Sequence, residues 1–389
     1  MTRSTKLERE TDAIQESDDD ARGPRGQDAG NEAEPAIFGR RRIIQTIVIV
    51  LLLVAGIYIL LPKIVGLEDA VAKLDEGDPL WIAVAFVFTA LISASYIALF
   101  RGIVGENVLH LEWREAYEIS MASFAASRLF SGGGAGGIVL TYWALRKAGM
   151  ERRESACRMV AFLVLTYGVY TIALIIFGIL LRTHVLPGNA PFAGTVVPAV
   201  ISACAIGLVG LIALIPHDIE RRIQHFAGGY RRTRYLTRLA SGPATVASGV
   251  RTAIAYVRDP QRGALAVGGA VGFWAANIGV LWASFEAFGG DVPFAVLVQG
   301  FFLGMAANLI PSPAGGVGSV DAGMIAAFVL FGVDEATVFP AVLAYRVIAF
   351  WLPIPPGIVA FVQLRGTVAR WEQERHAAAA RATILHKVK

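Results

Sequence analysis

Apolar residues in this chain fall in long continuous runs. They do not show the alternation of a half-buried strand or the single stripe of an amphipathic helix. Ile43–Leu61, Pro79–Phe100, Ser155–Leu181, Thr195–Ile215, Gly263–Phe288 and Ala336–Gln363 approach or exceed the roughly 20 residues that carry a helix across a bilayer. Two further apolar stretches are interrupted. Glu112–Phe130 and Ile138–Leu145 flank the cluster Ser131-Gly-Gly-Gly-Ala-Gly-Gly137. Pro293–Ile310 and Ala322–Phe331 flank Asn308-Leu-Ile-Pro-Ser-Pro-Ala-Gly-Gly-Val-Gly-Ser-Val-Asp321. At about 1.5 Å per helical residue these flanks are short for about 30 Å of hydrocarbon, so each pair predicts a re-entrant hairpin. Broken backbone at membrane depth is tolerated only where protein buries it or a watery cavity receives it.

Composition agrees. Of 389 residues 55% are apolar and 17% charged, with a mean hydropathy of +0.56, which excludes an ordinary soluble domain. The expected fold is an all-α polytopic membrane protein with about six transmembrane helices and two re-entrant helical hairpins. Cys157 and Cys204 both lie in apolar runs and suit small apolar packing groups, not a disulfide framework or a zinc site.

Loop charge sets the sidedness. Arg40-Arg-Arg42 precedes the first run, and Arg146, Lys147, Arg152 and Arg153 follow the first hairpin. Residues 216–262 carry nine arginines against three acids. The positive-inside rule puts these segments and both termini in the cytoplasm, on the inner face of a cell membrane. Residues 1–39 read as a disordered acidic tail and 367–389 as a basic tail, with a transmembrane domain over 40–366 between them. The basic segment 216–262 is expected to be helical and to lie near anionic headgroups. Beside two spans it does not suggest nucleic acid.

The two broken regions resemble each other. Ala126, Leu129 and Gly136 recur as Ala306, Leu309 and Gly316, an offset of 180. Ala156-Cys-Arg158-Met-Val-Ala-Phe162 recurs as Ala344-Tyr-Arg346-Val-Ile-Ala-Phe350, an offset of 188. Charge has the first unit (about 112–182) entered from inside and the second (about 293–364) from outside. That arrangement is an inverted-topology repeat, in which paired broken segments meet at the midplane around a substrate.

Several residues are candidates for that site. Gly133, Gly134 and Gly136 permit a tight turn and expose N–H groups at helix ends, where anions bind; close helix packing is the plainer use. The pattern Gly132-x-Gly134-x-x-Gly137 follows no strand and is not a dinucleotide fingerprint. Arg128, Arg158 and Arg346 offer planar forks to phosphate oxygens, or else snorkel or pair with Asp321 or Glu118. Asp321 within the apolar region marks a functional group by default, as an arginine partner or a proton carrier, although capping the following helix would also suffice. Asn308 and Ser312 could add hydrogen bonds. No zinc motif or Ser/His/Asp grouping appears, so neither catalysis nor a cofactor is expected.

At these residues the chain resembles the lysylphosphatidylglycerol synthase transmembrane family, the flippase-like membrane domain. Pro311-x-Pro313-x-Gly315-Gly316-x-Gly318-x-x-Asp321 is similar to that family's Pro-x-Pro-Gly-Gly-x-Gly-x-x-Glu signature. The upstream glycines with Arg158 and the downstream Arg346 also sit where its pattern places them. Asp321 stands in place of glutamate, Ala314 in place of glycine, and the first cluster lacks the proline often found before its glycines. The resemblance implies movement of a lipid between leaflets, without the soluble aminoacyl-transfer domain found in the family's bacterial lysyl-lipid factor. Two other functions fit the same residues. One is proton-coupled transport of a small polar anion. The other is a non-transporting partner of a lipid- or envelope-modifying enzyme. Membrane lipids, a second copy of the chain or such an enzyme are the expected partners.

Overall fold

Asp78 opens the first described helix, α1 (Pro79–Val104), with its carboxylate accepting from the Leu80 N–H at 2.8 Å and Pro79 in the first turn. Pro is tolerated there because its missing N–H would have no helical partner anyway. The computed structural model describes residues 77–105, 111–129, 135–214, 233–309 and 318–388, all within one unit, Ile44–Lys389. The acidic tail, the Ile43–Leu61 run and residues 216–232 of the basic segment lie outside the described residues.

Every regular element among the described residues is helical. After α1 come α2 (Trp113–Leu129), α3 (Ala135–Lys147), α4 (Arg152–Arg182), α5 (Phe192–Ala213), α6 (Thr233–Arg258) and α7 (Pro260–Ala287). They are followed by α8 (Phe294–Met305) with a 3-10 turn over Ala306–Leu309, α9 (Ser319–Leu330) and α10 (Glu335–Tyr345). A π-helical turn, Arg346–Trp351, links α10 to α11 (Ile354–Val388). Five stretches are long and apolar enough to cross a membrane: α1, α4, α5, α7, and Glu335–Ala377, which spans α10 through most of α11. They coincide with five of the six long runs read from the sequence.

Burial sorts these helices. In α5, 11% of the most apolar window is buried within the protein, against 50% in α7, whose window is less apolar. A helix ringed by protein can carry the buried amide of Asn277, which would be costly against lipid tails. α7 packs most extensively on α1. A Cβ added at Gly269 would lie 2.4 Å from the Leu99 backbone nitrogen, and one at Gly102 would lie 2.4 Å from that of Ala266. Without a hydrophobic drive between helices in lipid, such close backbone approach supplies van der Waals contact that larger residues would prevent.

α2 pairs with α3, α8 pairs with α9, and α11 lies along α2. Residues 367–372 of α11 are held against α2 and α3. Thr367 donates to Glu118 at 2.7 Å, Trp371 Nε1 donates to Glu115 at 3.0 Å, and Lys147 pairs with Glu372 at 2.8 Å. Glu118 is fully buried, and Arg114 also pairs with it at 3.0 Å. A carboxylate buried in α2 needs donors, and α11 brings one. The amphipathic α6 packs on α4 along the small residues Ala244, Ala247, Val250 and Ala253.

Candidate functional site

The site forms where the tips of the two helix pairs approach the π-turn. In the first pair, Thr141 on α3 donates to Ser123 on α2 at 2.7 Å. Gly137 is pressed so close that a Cβ there would lie 2.5 Å from the Ser123 carbonyl oxygen. In the second pair, a Cβ on Gly323 would lie 2.6 Å from that of Ala307. Both legs meet through small residues, so two short helices can return alongside each other. Gly318 turns the chain into α9 at φ 84°, a left-handed conformation natural to glycine. Its N–H donates to Asp321 Oδ2 at 2.9 Å, so Asp321 does close the helix start.

The other carboxylate oxygen of Asp321 has a different partner. Oδ1 lies 2.5 Å from Nε of Arg346, an ion-pair contact without hydrogen-bond alignment. Arg346 is buried, its guanidinium stacks 4.2 Å from the centre of the Phe350 ring, and its Nη2 has no hydrogen-bond partner among the described residues. Arg128, at the tip of α2, lies 3.7 Å from the Phe124 ring centre and 5.1 Å from that of Phe350. Its Nη1 donates to the Phe350 carbonyl at 2.9 Å. The π-turn makes this arrangement possible. Pro353, Pro355 and Pro356 carry no N–H, so the helix cannot close regularly over the preceding carbonyls. Helical turns of this kind often mark functional positions.

The two arginines line one cavity of about 190 Å³. Aromatic rings, including Tyr96, Phe124 and Trp274, form much of its wall, and Thr141, Asn277 and Asn308 add polar groups. Among the described lining residues there are two arginines and no acid; Asp321 pairs with Arg346 without lining the cavity itself. Asn277 is fixed in place, accepting from Tyr345 at 3.1 Å and donating to the Phe273 carbonyl at 2.7 Å. The unit can hold an anion that presents oxygen acceptors, since guanidinium groups shielded from water bind phosphate or carboxylate strongly.

Of the residues expected at the site, Arg128, Asn308 and Arg346 line the cavity and Asp321 reaches it through Arg346. Gly136 lies buried at the start of α3 and Gly318 forms the turn into α9. Gly133, Gly134, Ser312, Gly315 and Gly316 lie outside the described residues. Arg158 is not brought to the cavity. It is held by Glu154 at 2.9 Å, the Ile103 carbonyl at 2.9 Å and Tyr256 at 2.5 Å, joining α4 to α1 and α6. The matching position, Arg346, differs because α10 ends in the π-turn, whereas α4 continues regularly. Sequence reading passed over Asn277 and Tyr345. A polar side chain in the apolar run Gly263–Phe288 was the available signal for Asn277; nothing local marks Tyr345.

The description "Lysylphosphatidylglycerol synthase TM region" belongs to a family profile that matches residues 45–357. A protein described as "UPF0104 membrane protein" from Methanothermobacter thermautotrophicus (strain Delta H) is 25% identical over 316 residues. The match covers 78% of this chain and 90% of that protein.

Proposed function

Because the chain belongs to the lysylphosphatidylglycerol synthase TM-region family, we propose that it moves an anionic lipid between the leaflets of the membrane. The observation that carries this reading is a pair of arginines, half-buried Arg128 and buried Arg346, in one cavity where two helix pairs approach each other. A phosphate crossing about 30 Å of hydrocarbon needs such partners near mid-depth. The legs support re-entrant hairpins, since α3, α8 and α9 have 13, 12 and 12 residues and rise only about 18–20 Å. With the run at Ile43–Leu61, the five long apolar stretches make six spans, and loop charge places both termini in the cytoplasm. The hairpins then form the halves of an inverted repeat, and rocking of one against the other exposes the cavity to each leaflet in turn.

Asp321 supplies the release step in this reading. It holds Arg346 while the cavity is empty, and an arriving phosphate takes over the guanidinium. The protein acts as a transporter and not as an enzyme. Its partners are membrane lipids, with anionic headgroups against the arginines of residues 216–262. The test is transbilayer movement of a fluorescent anionic lipid in vesicles containing the purified chain. Arg346→Ala should abolish movement while the melting profile remains cooperative; movement at the wild-type rate in that variant would refute the role of Arg346, and no movement by the wild-type chain would refute the reading.

The cavity's small volume also suits a soluble anion. Uptake of labelled phosphate into the same vesicles, driven by a proton gradient and without lipid movement, would favour that second reading.

A further inference from the structure

We propose that the arginine cavity accepts a small phosphate head that carries no amine, so that its ligand is selected by more than net charge. The inference rests on the lipid-transport reading and names the class of head that this site takes. An ammonium group drawn out of water beside a phosphate needs a counter-charge of its own, because a desolvated cation without one is costly. The cavity has none to give. Arg128 and Arg346 are the charged groups among its described lining residues. The tip segments 130–134 and 310–317 contain no acidic residue. Asp321 does not line the cavity, and both of its oxygens are engaged, Oδ1 by Arg346 and Oδ2 by the Gly318 N–H.

The neutral groups point the same way. Asn277 Oδ1 already accepts from the Tyr345 hydroxyl at 3.1 Å, while its Nδ2 donates to the Phe273 carbonyl at 2.7 Å. The hydroxyls of Ser127 and Thr141 on the wall offer an ammonium group lone pairs but no charge. Aromatic rings do not fill the gap, because cation–π binding needs an open ring face. The guanidiniums of Arg128 and Arg346 already sit 3.7 Å from the Phe124 centre and 4.2 Å from the Phe350 centre. Tyr96 packs against Phe124, Phe162 and Phe273. Donors, by contrast, are in surplus: Arg346 Nη2 is buried and has no hydrogen-bond partner among the described residues. A phosphate only accepts, and so it matches this set. A head that adds an ammonium brings a second cation toward two guanidiniums. At about 190 Å³ the cavity is also smaller than the roughly 300–1,000 Å³ of sites that enclose drug-sized molecules. It suits a phosphate with a glycerol-sized substituent, not one extended by an aminoacyl group or a sugar.

The experiment follows the melting temperature of the full-length chain in detergent as short-chain lipid is added. Dihexanoyl phosphatidylglycerol and dihexanoyl phosphatidylserine have the same net charge and heads of similar size, but only the second bears an amine. The glycerol lipid should raise the melting temperature at concentrations about tenfold lower than the serine lipid. Glycerol 3-phosphate and O-phosphoserine, the same heads without tails, identify the source. A preference that needs the tails assigns the site to a lipid; the same preference without them assigns it to a free phosphate ester, and either supports selection against the amine. Arg346→Ala should remove the shift. Asn277→Asp, which places a carboxylate on the cavity wall, should narrow or reverse the preference, and if that variant does not fold the wild-type comparison decides alone. Equal potency of the two lipids, a stronger effect of the serine lipid or no shift with either would overturn the proposal. So would a shift that survives Arg346→Ala, or an unchanged preference in folded Asn277→Asp. The transport reading fails separately. If the glycerol lipid binds with this preference but does not cross in vesicles, the selection stands and transport falls. If both lipids cross and bind equally, transport stands and the selection falls.

Discussion

Asp321 and Arg346 meet at 2.5 Å, joining the first turn of α9 to the π-turn that follows α10. The pair is asymmetric. Arg346 is buried, whereas the Asp321 side chain is one-third exposed and also closes its own helix start through Gly318. Losing the carboxylate leaves a buried cation unpaired; losing the arginine leaves a carboxylate with another partner and some access to water.

Asp321→Asn should therefore destabilise the protein more than Arg346→Ala. Breaking a fully buried pair costs about 3–5 kcal/mol, and partial exposure here reduces this to about 1–2 kcal/mol. Thermal unfolding in a mild detergent, with the two single variants and the double variant compared, measures it. Equal losses in the two singles would mean that the pair carries no such asymmetry. In vesicles Asp321→Asn should also slow turnover, because the released guanidinium no longer has a partner to return to.

Arg128→Lys keeps the charge but loses the flat guanidinium that stacks on Phe124 and reaches the Phe350 carbonyl. Lipid movement should fall by about tenfold, since lysine is a compact, strongly hydrated charge. If movement is unchanged, charge alone is what the cavity needs at this position.

Glu118→Ala removes the acceptor that holds Thr367 and the inner turns of α11 against α2. The expected cost is about 1–3 kcal/mol for the buried hydroxyl left without its partner. Hydrogen exchange reads this locally: amides around Thr367–Trp371 should exchange faster while those of α7 keep their protection. Unchanged exchange at those amides would show that side-chain packing alone docks the helix.

Gly269→Val should prevent folding, since the first added carbon would already lie 2.4 Å from the Leu99 backbone nitrogen. Gly207→Ala on α5 meets nothing within 4 Å and should be neutral or slightly stabilising, by up to about 1 kcal/mol. Yield of monodisperse protein after extraction separates the two outcomes.

Much of the fold was legible because lipid demands one composition over a set length. Four of the five described spans fall within a few residues of the apolar runs, while the fifth, Glu335–Ala377, continues well past Gln363; the glycine and proline clusters lie between shorter helices. Arg158 shows the limit. It repeats the local sequence around Arg346, yet α4 continues as regular helix and delivers it to Glu154, Ile103 and Tyr256. The docked α11 was equally hidden, because a basic stretch after the last span looks the same whether it is free or held by a buried Glu118.

By itself the sequence determined that this is a membrane protein, which stretches are long and apolar enough to cross, and that prolines, glycines and one carboxylate gather in Asn308–Asp321. These follow from the transfer of side chains and backbone into hydrocarbon, which depends on composition and length alone. Only the tertiary structure decided which arginines share a cavity, that Asp321 faces Arg346, and that Trp274 helps to wall that cavity. Those facts depend on how helices far apart in sequence approach one another. The approach is set by where small residues let backbones touch and where prolines break the helix, and neither is visible as a local pattern around the residues that meet.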